Sequence, residues 1–481
     1  MTRTRLVNMI ALVIAISAMV LSVAAQRGGA GQGGPAQGGD ARGGGGRGGG
    51  GGRGGGGTPT VLPEQPTAVT LPTVSAEITS PGKMFDSATS LPPGRDLAHY
   101  KYEAKEYFIS GTANGKPYTT RIVVRKPASN GKFSGLAMVE AMHPSGAAHM
   151  FEFTSDYTMN SGHMAVEVVT SFDEPNAQNP ERYKDMKITN DQVPEVLAQV
   201  GALIKRKPSG PAFGNLAPRK IVMAGTSATA GILINYLPGH MVFRTPDMQR
   251  IYDGFLPMST GATIRKIDVP LIQVPTMTEV VGQQLTARPD GDEPGDQFRV
   301  YEFAGMAHVD SRDSVRFKPN PCAQDASQFP EQAYMSVALR NLYDWVDKGK
   351  VAPRAERIKK DNNNDDGSPM ELDENKNAKG GIRNPYVDVP AAAFGVVNTP
   401  ANPPISNPSA WIAAHANSPA LMCRLAGYQV AFSKEQLQKL YTNKKTYVDR
   451  VKKSLDEMEK AGWSLPMYRE MILEDAAKVT F

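Results

Sequence analysis

The segment that most constrains the fold is Arg219-Lys-Ile-Val-Met-Ala-Gly-Thr-Ser-Ala-Thr-Ala-Gly-Ile-Leu-Ile-Asn-Tyr-Leu237. In it a short apolar run meets a turn of small residues and then a helix-compatible stretch. A serine held on such a strand-to-helix bend exposes its hydroxyl at the carboxyl end of a sheet, and the crowded backbone there demands small neighbours. Gly225 is one of them. The pattern asks for a second Gly two residues after Ser227 and finds Thr229, so the expected elbow is imperfect, although Ala228, Ala230 and Gly231 keep the approach open. A serine that merely caps a helix after a strand would show similar residues. The rest of the chain has to decide between the two.

Around this segment, strand-like apolar runs alternate with helical stretches. Two β-like runs, Lys105 to Ser110 and Thr119 to Lys126, flank Gly-Thr-Ala-Asn-Gly115 and predict a hairpin. Then come Gly135 to Glu140, His163 to Thr170, a helix from about Asp191 to Arg206, Lys220 to Ala224, the helix after Ser227, Val269 to Thr276 and Gln297 to Phe303. Runs that are apolar on both faces, separated by helices, predict an α/β architecture: a mostly parallel sheet covered by helices.

A serine hydroxyl is a weak nucleophile and needs a base. In this architecture the acid and the histidine follow the serine along the chain. Val269 to Thr276 leads to Met-Thr-Glu279, and Arg299 to Phe303 leads to Ala-Gly-Met-Ala-His308. Both loops follow strands, where side chains converge on the same sheet edge as the serine. His308 is the candidate base, since His240 lies just past the elbow helix and His415 in a Pro-rich region far downstream. Glu279 is the candidate acid, read as ending its strand, while Asp290, Asp292 and Asp296 read as solvated residues of the next loop. An oxyanion needs two donors, normally the amide after the nucleophile and one from the loop after an earlier strand. Ala228 supplies the first, and the second is expected within Ala141 to Gly146, with His143 as the candidate.

Outside this core the chain is modular. Residues 1–25 carry Arg3 and Arg5, an apolar run from Met9 to Val23 and a small-residue end at Ala25, the layout of a cleaved export signal. The run is short for a bilayer span, so no stable membrane span is expected after cleavage, and a periplasmic or extracellular location follows. Residues 26–81 are a Gly/Arg-rich and then Pro/Thr-rich linker with nothing to bury, expected to be disordered over Gln26 to Gly57. That tract lacks aromatics for base stacking, and the net charge of +5 is small for 481 residues, so no nucleic-acid partner is indicated. The folded part is expected over 82–481, with a polar surface insertion at 359–379 and helical segments over 432–481. Within the insertion, Asn362, Asn364, Asp366, Gly367 and Asp373 only loosely follow a calcium-loop spacing, and a solvated loop is the better reading. In the C-terminal part, Tyr447, Val451, Leu455 and Met458 share a helix face that should pack on the main domain. The only cysteines are Cys322 and Cys423. Neither has metal-ligand spacing, and the sequence leaves open whether they pair.

From about Tyr100 to its end the chain resembles a bacterial family of α/β-hydrolase-domain proteins. The resemblance is carried by Glu106-Tyr-Phe-Ile-Ser-Gly-Thr-Ala113, Asn179-Pro-Glu-Arg-Tyr183, the serine elbow, Gly305-Met-Ala-His308, Gly380-Gly-Ile-Arg-Asn-Pro-Tyr-Val-Asp-Val-Pro390 and Cys423-Arg-Leu-Ala-Gly427. It implies the α/β-hydrolase fold and places Ser227, Glu279 and His308 on the family's triad positions. Where that family usually has Gln and Ser after the serine, this chain has Ala228 and Thr229; where it has Trp-Leu-Asn, this chain has Ala141-Met-His143. The expectation is an exported serine hydrolase that cleaves a carboxylic ester, small or polymeric, without metal or cofactor. Acyl transfer to an alcohol would use the same residues, whereas a non-catalytic binding or envelope protein of this fold would need none of them.

Overall fold

The Asn114-Gly115 pair, both with positive φ (48° and 71°), makes the two-residue turn that matches the right-handed twist of a hairpin. It joins β2 (Tyr102–Ala113) to β3 (Lys116–Pro127) in an unbroken antiparallel register. The strands are longer than the sequence suggested because Gly111, Thr112 and Ala113 pair with Tyr118, Pro117 and Lys116 instead of looping out. The computed structural model describes residues 60–481 except 92–93, 172, 283–287, 313, 315–316, 361–368 and 407–418. The export signal, the Gly-rich tract, His415 and the first part of the loose calcium-like pattern lie outside the described residues.

The remaining strands of the main sheet are β1 (Thr73–Val74), β4 (Leu136–Ala141), β5 (Met164–Val168), β6 (Lys220–Thr226), β7 (Gly254–Met258), β8 (Leu271–Gln273) and β9 (Phe298–Val300). Their spatial order is β9-β8-β7-β6-β4-β5-β3-β2-β1. From β5 to β9 all neighbours are parallel, and the hairpin extends the other edge antiparallel. This is the expected helix-covered, mostly parallel sheet. On β6, Ile221 and Met223 enter one core with helices α2 (Val193–Lys205) and α3 (Ala228–His240), while Val222 and Ala224 enter the other. That second core is built on helices α1 (His149–Asn160) and α5 (Glu331–Lys348). Burial on both faces is what made these strands visible as continuous apolar runs. β7 escaped notice because Pro257 interrupts it, and α5 because buried Tyr334, Met335, Val337, Ala338, Leu339 and Leu342 leave it no clean polar face.

The C-terminal segment forms α7 (Lys434–Tyr441), α8 (Lys444–Ala461) and α9 (Arg469–Lys478). Tyr447, Val451, Leu455 and Met458 do share one face of α8 and are buried in the α1/α5 core. The polar stretch is less solvated than its composition implied: Met370, Asn377 and Ala378 are buried, and Leu372 bridges to Ala378. Asp373 accepts from the Asn375 and Asn377 amides and pairs with Arg383, so it is a loop-fixing residue.

A buried ion network fastens the lead-in chain to the hairpin. Glu106, 1% exposed, accepts from Arg121 Nε, Arg182 Nε and the Tyr183 hydroxyl. Arg182 also donates to the carbonyls of Ile78, Pro81 and Gly82, and Arg121 to that of Phe85. Glu106→Ala should therefore remove the carboxylate shared by two buried guanidinium groups, leaving Arg121 near Glu167 and Arg182 on its carbonyls, and cost about 3–5 kcal/mol. Removing the exposed Lys445–Asp449 pair of α8 should leave the unfolding midpoint nearly unchanged. Urea denaturation of the two variants checks the contrast.

Candidate active site

β6 ends at Thr226 and α3 begins at Ala228, so Ser227 alone makes the bend, with φ 54° and ψ −119°. A non-glycine residue held there is strained, and surrounding contacts must impose the conformation. Ser227 N donates to Met258 O at 3.1 Å, tying the bend to β7. Crowding falls on Gly225, where a Cβ would sit 2.5 Å from Thr229 O and 2.7 Å from its carbonyl carbon. The unexpected Thr229 has its own role: its hydroxyl accepts from Thr226 N and donates to Thr226 O, both at 2.9 Å. The second small residue of the pattern is thus replaced by a staple across the elbow.

His308 reaches this bend from the loop after β9. Its Nε2 is 2.9 Å from Ser227 Oγ and its Nδ1 is 2.5 Å from Glu279 Oε1. The loop turns at Gly305, φ 97°, where a Cβ would lie 2.8 Å from the Phe329 ring. It is then clamped by Leu425 O, which accepts from both His308 N (3.0 Å) and Val309 N (3.1 Å). The carboxylate beside Nδ1 holds the ring proton there and leaves the Nε2 lone pair facing the serine hydroxyl.

Glu279 does not end a strand, as the sequence reading had it. β8 stops at Gln273, and Glu279 is the third residue of the short helix α4 (Met277–Val281). Thr276-Met-Thr-Glu279 is a capping box, a pattern legible in the sequence but missed. Glu279 Oε2 accepts from Thr276 N (2.8 Å) and Thr276 Oγ (2.7 Å), which leaves Oε1 for His308. Burial acts to raise the Glu279 carboxyl, but the His308 charge and hydrogen bond, with those of Thr276, outweigh it and hold it below the ordinary carboxylate value.

The loop aspartates are not free solvated residues. Asp290 accepts from Val300 N and faces Arg357, Asp292 pairs with Arg299 and Arg354, and Asp296 with Arg288 and Lys266. Of the other described histidines, His240 is buried against Asp268. His163 precedes β5, with burial holding its imidazole down at about 3.

For an oxyanion, the Ala228 amide opens α3, where helix geometry leaves the first N–H groups without an intrahelical acceptor. His143 needs a correction as a main-chain donor. Its amide donates to Ala147 O at 2.9 Å, and the Met142, Ser145 and Gly146 amides are likewise engaged, with Val168 O, His143 Nδ1 and His143 O. What His143 can offer is its ring: Nδ1 accepts from Ser145 N at 3.1 Å, which puts the proton of the neutral imidazole on Nε2. The parallel register Val139↔Met223 carries the loop after β4 alongside the elbow.

Cys322 and Cys423 form a disulfide, resolving what the sequence left open. Cys423 lies in α6 (Pro419–Ala426), two residues before the Leu425 carbonyl that clamps His308. The bridge closes a separation of 101 residues, so its loss should cost about 2–5 kcal/mol through chain entropy. Guanidinium unfolding of the Cys322→Ala/Cys423→Ala variant measures it. Among the described residues no cluster of His, Cys, Asp and Glu could hold a metal ion, and no helix is long and apolar enough to cross a membrane.

No curated protein matches the chain. Among solved structures, a cold-adapted esterase from an Arctic intertidal metagenomic library is similar at 13% identity, covering 41% of this chain and 84% of its own, with a TM-score of 0.23. A dienelactone hydrolase from Anabaena variabilis ATCC 29413 is similar at 9% identity, covering 41% and 86%, with a TM-score of 0.24. A family described as alpha/beta hydrolase domain matches residues 64–474. The match takes in the whole described sheet, the elbow, both partner loops and nearly all of the C-terminal helices, and the chain belongs to this alpha/beta hydrolase family.

Proposed function

We propose that this hydrolase cleaves a carboxylic ester through an acyl-enzyme on Ser227. The observation that carries the reading is the unbroken line Ser227 Oγ, His308 Nε2, His308 Nδ1, Glu279 Oε1, with separations of 2.9 and 2.5 Å across its two hydrogen bonds. Ser227 Oγ attacks the ester carbonyl carbon while His308 Nε2 takes its proton, and Glu279 stabilises the resulting imidazolium. The Ala228 amide and the His143 Nε2–H supply donors to the tetrahedral oxyanion. As that intermediate collapses, His308 returns the proton to the leaving alcohol. Water then repeats the sequence against the acyl-enzyme, giving the acid and restoring the Ser227 hydroxyl. The cycle needs neither a metal nor an organic cofactor.

The signal-like residues 1–25 support an exported enzyme. Reaction with a fluorophosphonate, followed by peptide mapping, tests the chemistry: the Ser227 peptide should carry the label. A fully folded protein unlabelled at Ser227 and inactive on p-nitrophenyl butyrate would overturn the reading.

A further inference from the structure

A second serine has the same kind of partners. Ser145, in the turn after β4, has its Oγ 3.3 Å from His149 Nε2, and His149 Nδ1 is 3.2 Å from Glu152 Oε2. The atoms are those of a serine, histidine and acid in line, and all three sit within eight residues of chain. Glu152 is buried and oriented from its other side, where Oε1 accepts from Ser90 N at 2.8 Å. The His149 ring is fixed by stacking on Phe153 (5.3 Å, 8° between planes) and by the edge of His143 (4.7 Å). With its Nδ1 proton directed at Glu152, His149 presents the Nε2 lone pair to Ser145. His143 Nδ1, already an acceptor for Ser145 N, lies 2.8 Å from the same hydroxyl. The one hydroxyl proton therefore faces two nitrogen acceptors. The turn itself is pinned, since a Cβ on Gly146 (φ 81°) would meet the Phe85 ring at 2.9 Å. Ser145, His143 and His149 all keep part of their surface exposed.

We propose that Ser145, with His149 as its base and Glu152 behind it, is a second acylation site that accepts the acyl group of small activated carboxylic esters. Ser145 Oγ bonds to the carbonyl carbon as His149 Nε2 takes its proton. The ester C–O bond then breaks, and the leaving alkoxide or phenolate departs with its electron pair and receives that proton. The separations are longer than the 2.9 and 2.5 Å of the Ser227 line, so acylation at Ser145 is the slower of the two. The inference does not depend on the role of Ser227.

The test uses the full chain carrying Ser227→Ala, p-nitrophenyl acetate, and peptide mass mapping over time. The acetyl group should appear on the peptide containing Ser145, vanish in Ser227→Ala/Ser145→Ala, and form at least about tenfold more slowly in Ser227→Ala/His149→Gln, the loss expected for a general base. Ser227→Ala/Ser145→Cys, which keeps a nucleophile in place, should form the thioester faster than the serine forms its ester. Acetylation confined to lysines, an unchanged Ser145 rate without His149, or no thioester on Cys at 145 would each overturn the proposal. Ester turnover lost with Ser227 while Ser145 still acetylates would support both assignments, and full ester turnover in Ser227→Ala with Ser145 acetylated would remove only that of Ser227.

Discussion

Ser227→Ala is expected to abolish ester turnover, with kcat falling by about 10⁴-fold or more, while unfolding free energy stays within about 1 kcal/mol. The first expectation follows from chemistry: without Oγ no acyl-enzyme forms at position 227, and what remains is the slower acylation at Ser145 and the smaller contribution of oxyanion donors and binding. The second follows from how the elbow is held. The Ser227 side chain caps nothing on α3, and among the described residues its one hydrogen-bond partner is His308. The strained backbone at φ 54° is imposed by Ser227 N on Met258 O, by the Thr229 staple and by the close packing at Gly225, none of which uses the hydroxyl. Alanine is no more strained there than serine. A stopped assay with p-nitrophenyl butyrate and a thermal melt, run on both proteins, check the pair of expectations, and retention of full turnover would remove Ser227 from the mechanism.

What the sequence made legible was whatever depends on side-chain type at short range. The parallel strands show because they are buried on both faces, and the elbow shows because its backbone tolerates only small neighbours at Gly225. Long-range pairing was not legible: nothing near Cys322 or Cys423 fixes their proximity across 101 residues. The spent amide of His143 depends on a turn closed by Ala147, four residues on, and the tautomer of its ring on the Ser145 amide. Glu279 differs from its expected place for another reason. The apolar run reads as strand up to it, although Thr276 and Glu279 form a box whose threonine-x-x-glutamate spacing marks a helix start. Asp290 and Asp292 read as solvated because their partners Arg357 and Arg354 come from elsewhere in the chain.

The doubly used carboxylate gives Glu279→Gln a large expected effect. Glu279 Oε2 caps α4 through Thr276 while Oε1 holds His308, and glutamine can satisfy only one of these with an oxygen. If its oxygen keeps the cap, its NH₂ faces His308 Nδ1 and forces that nitrogen to accept, which moves the ring proton to Nε2. A protonated Nε2 cannot take a proton from Ser227. If the amide flips, NH₂ meets the Thr276 N–H and the cap is lost, at a cost of about 1 kcal/mol. In either arrangement the imidazolium loses its counter-charge, so kcat should fall about 10³–10⁴-fold while KM changes far less, because the carboxylate acts behind the imidazole. Asp290→Asn, Asp292→Asn and Asp296→Asn should leave kcat within a few-fold, since their partners are structural arginines. The variant should also alter acid stability. A carboxyl held below its ordinary value in the folded state contributes stability that is present above the unfolded pKa and is lost as pH falls through the lowered folded one. Glu279→Gln removes that contribution, so its unfolding midpoint should depend less steeply on pH below about pH 5 than that of the wild type. Should an aspartate variant lose the rate while Glu279→Gln keeps it, the acid would move into the loop after α4, and the 2.5 Å contact with His308 would be left without a catalytic role.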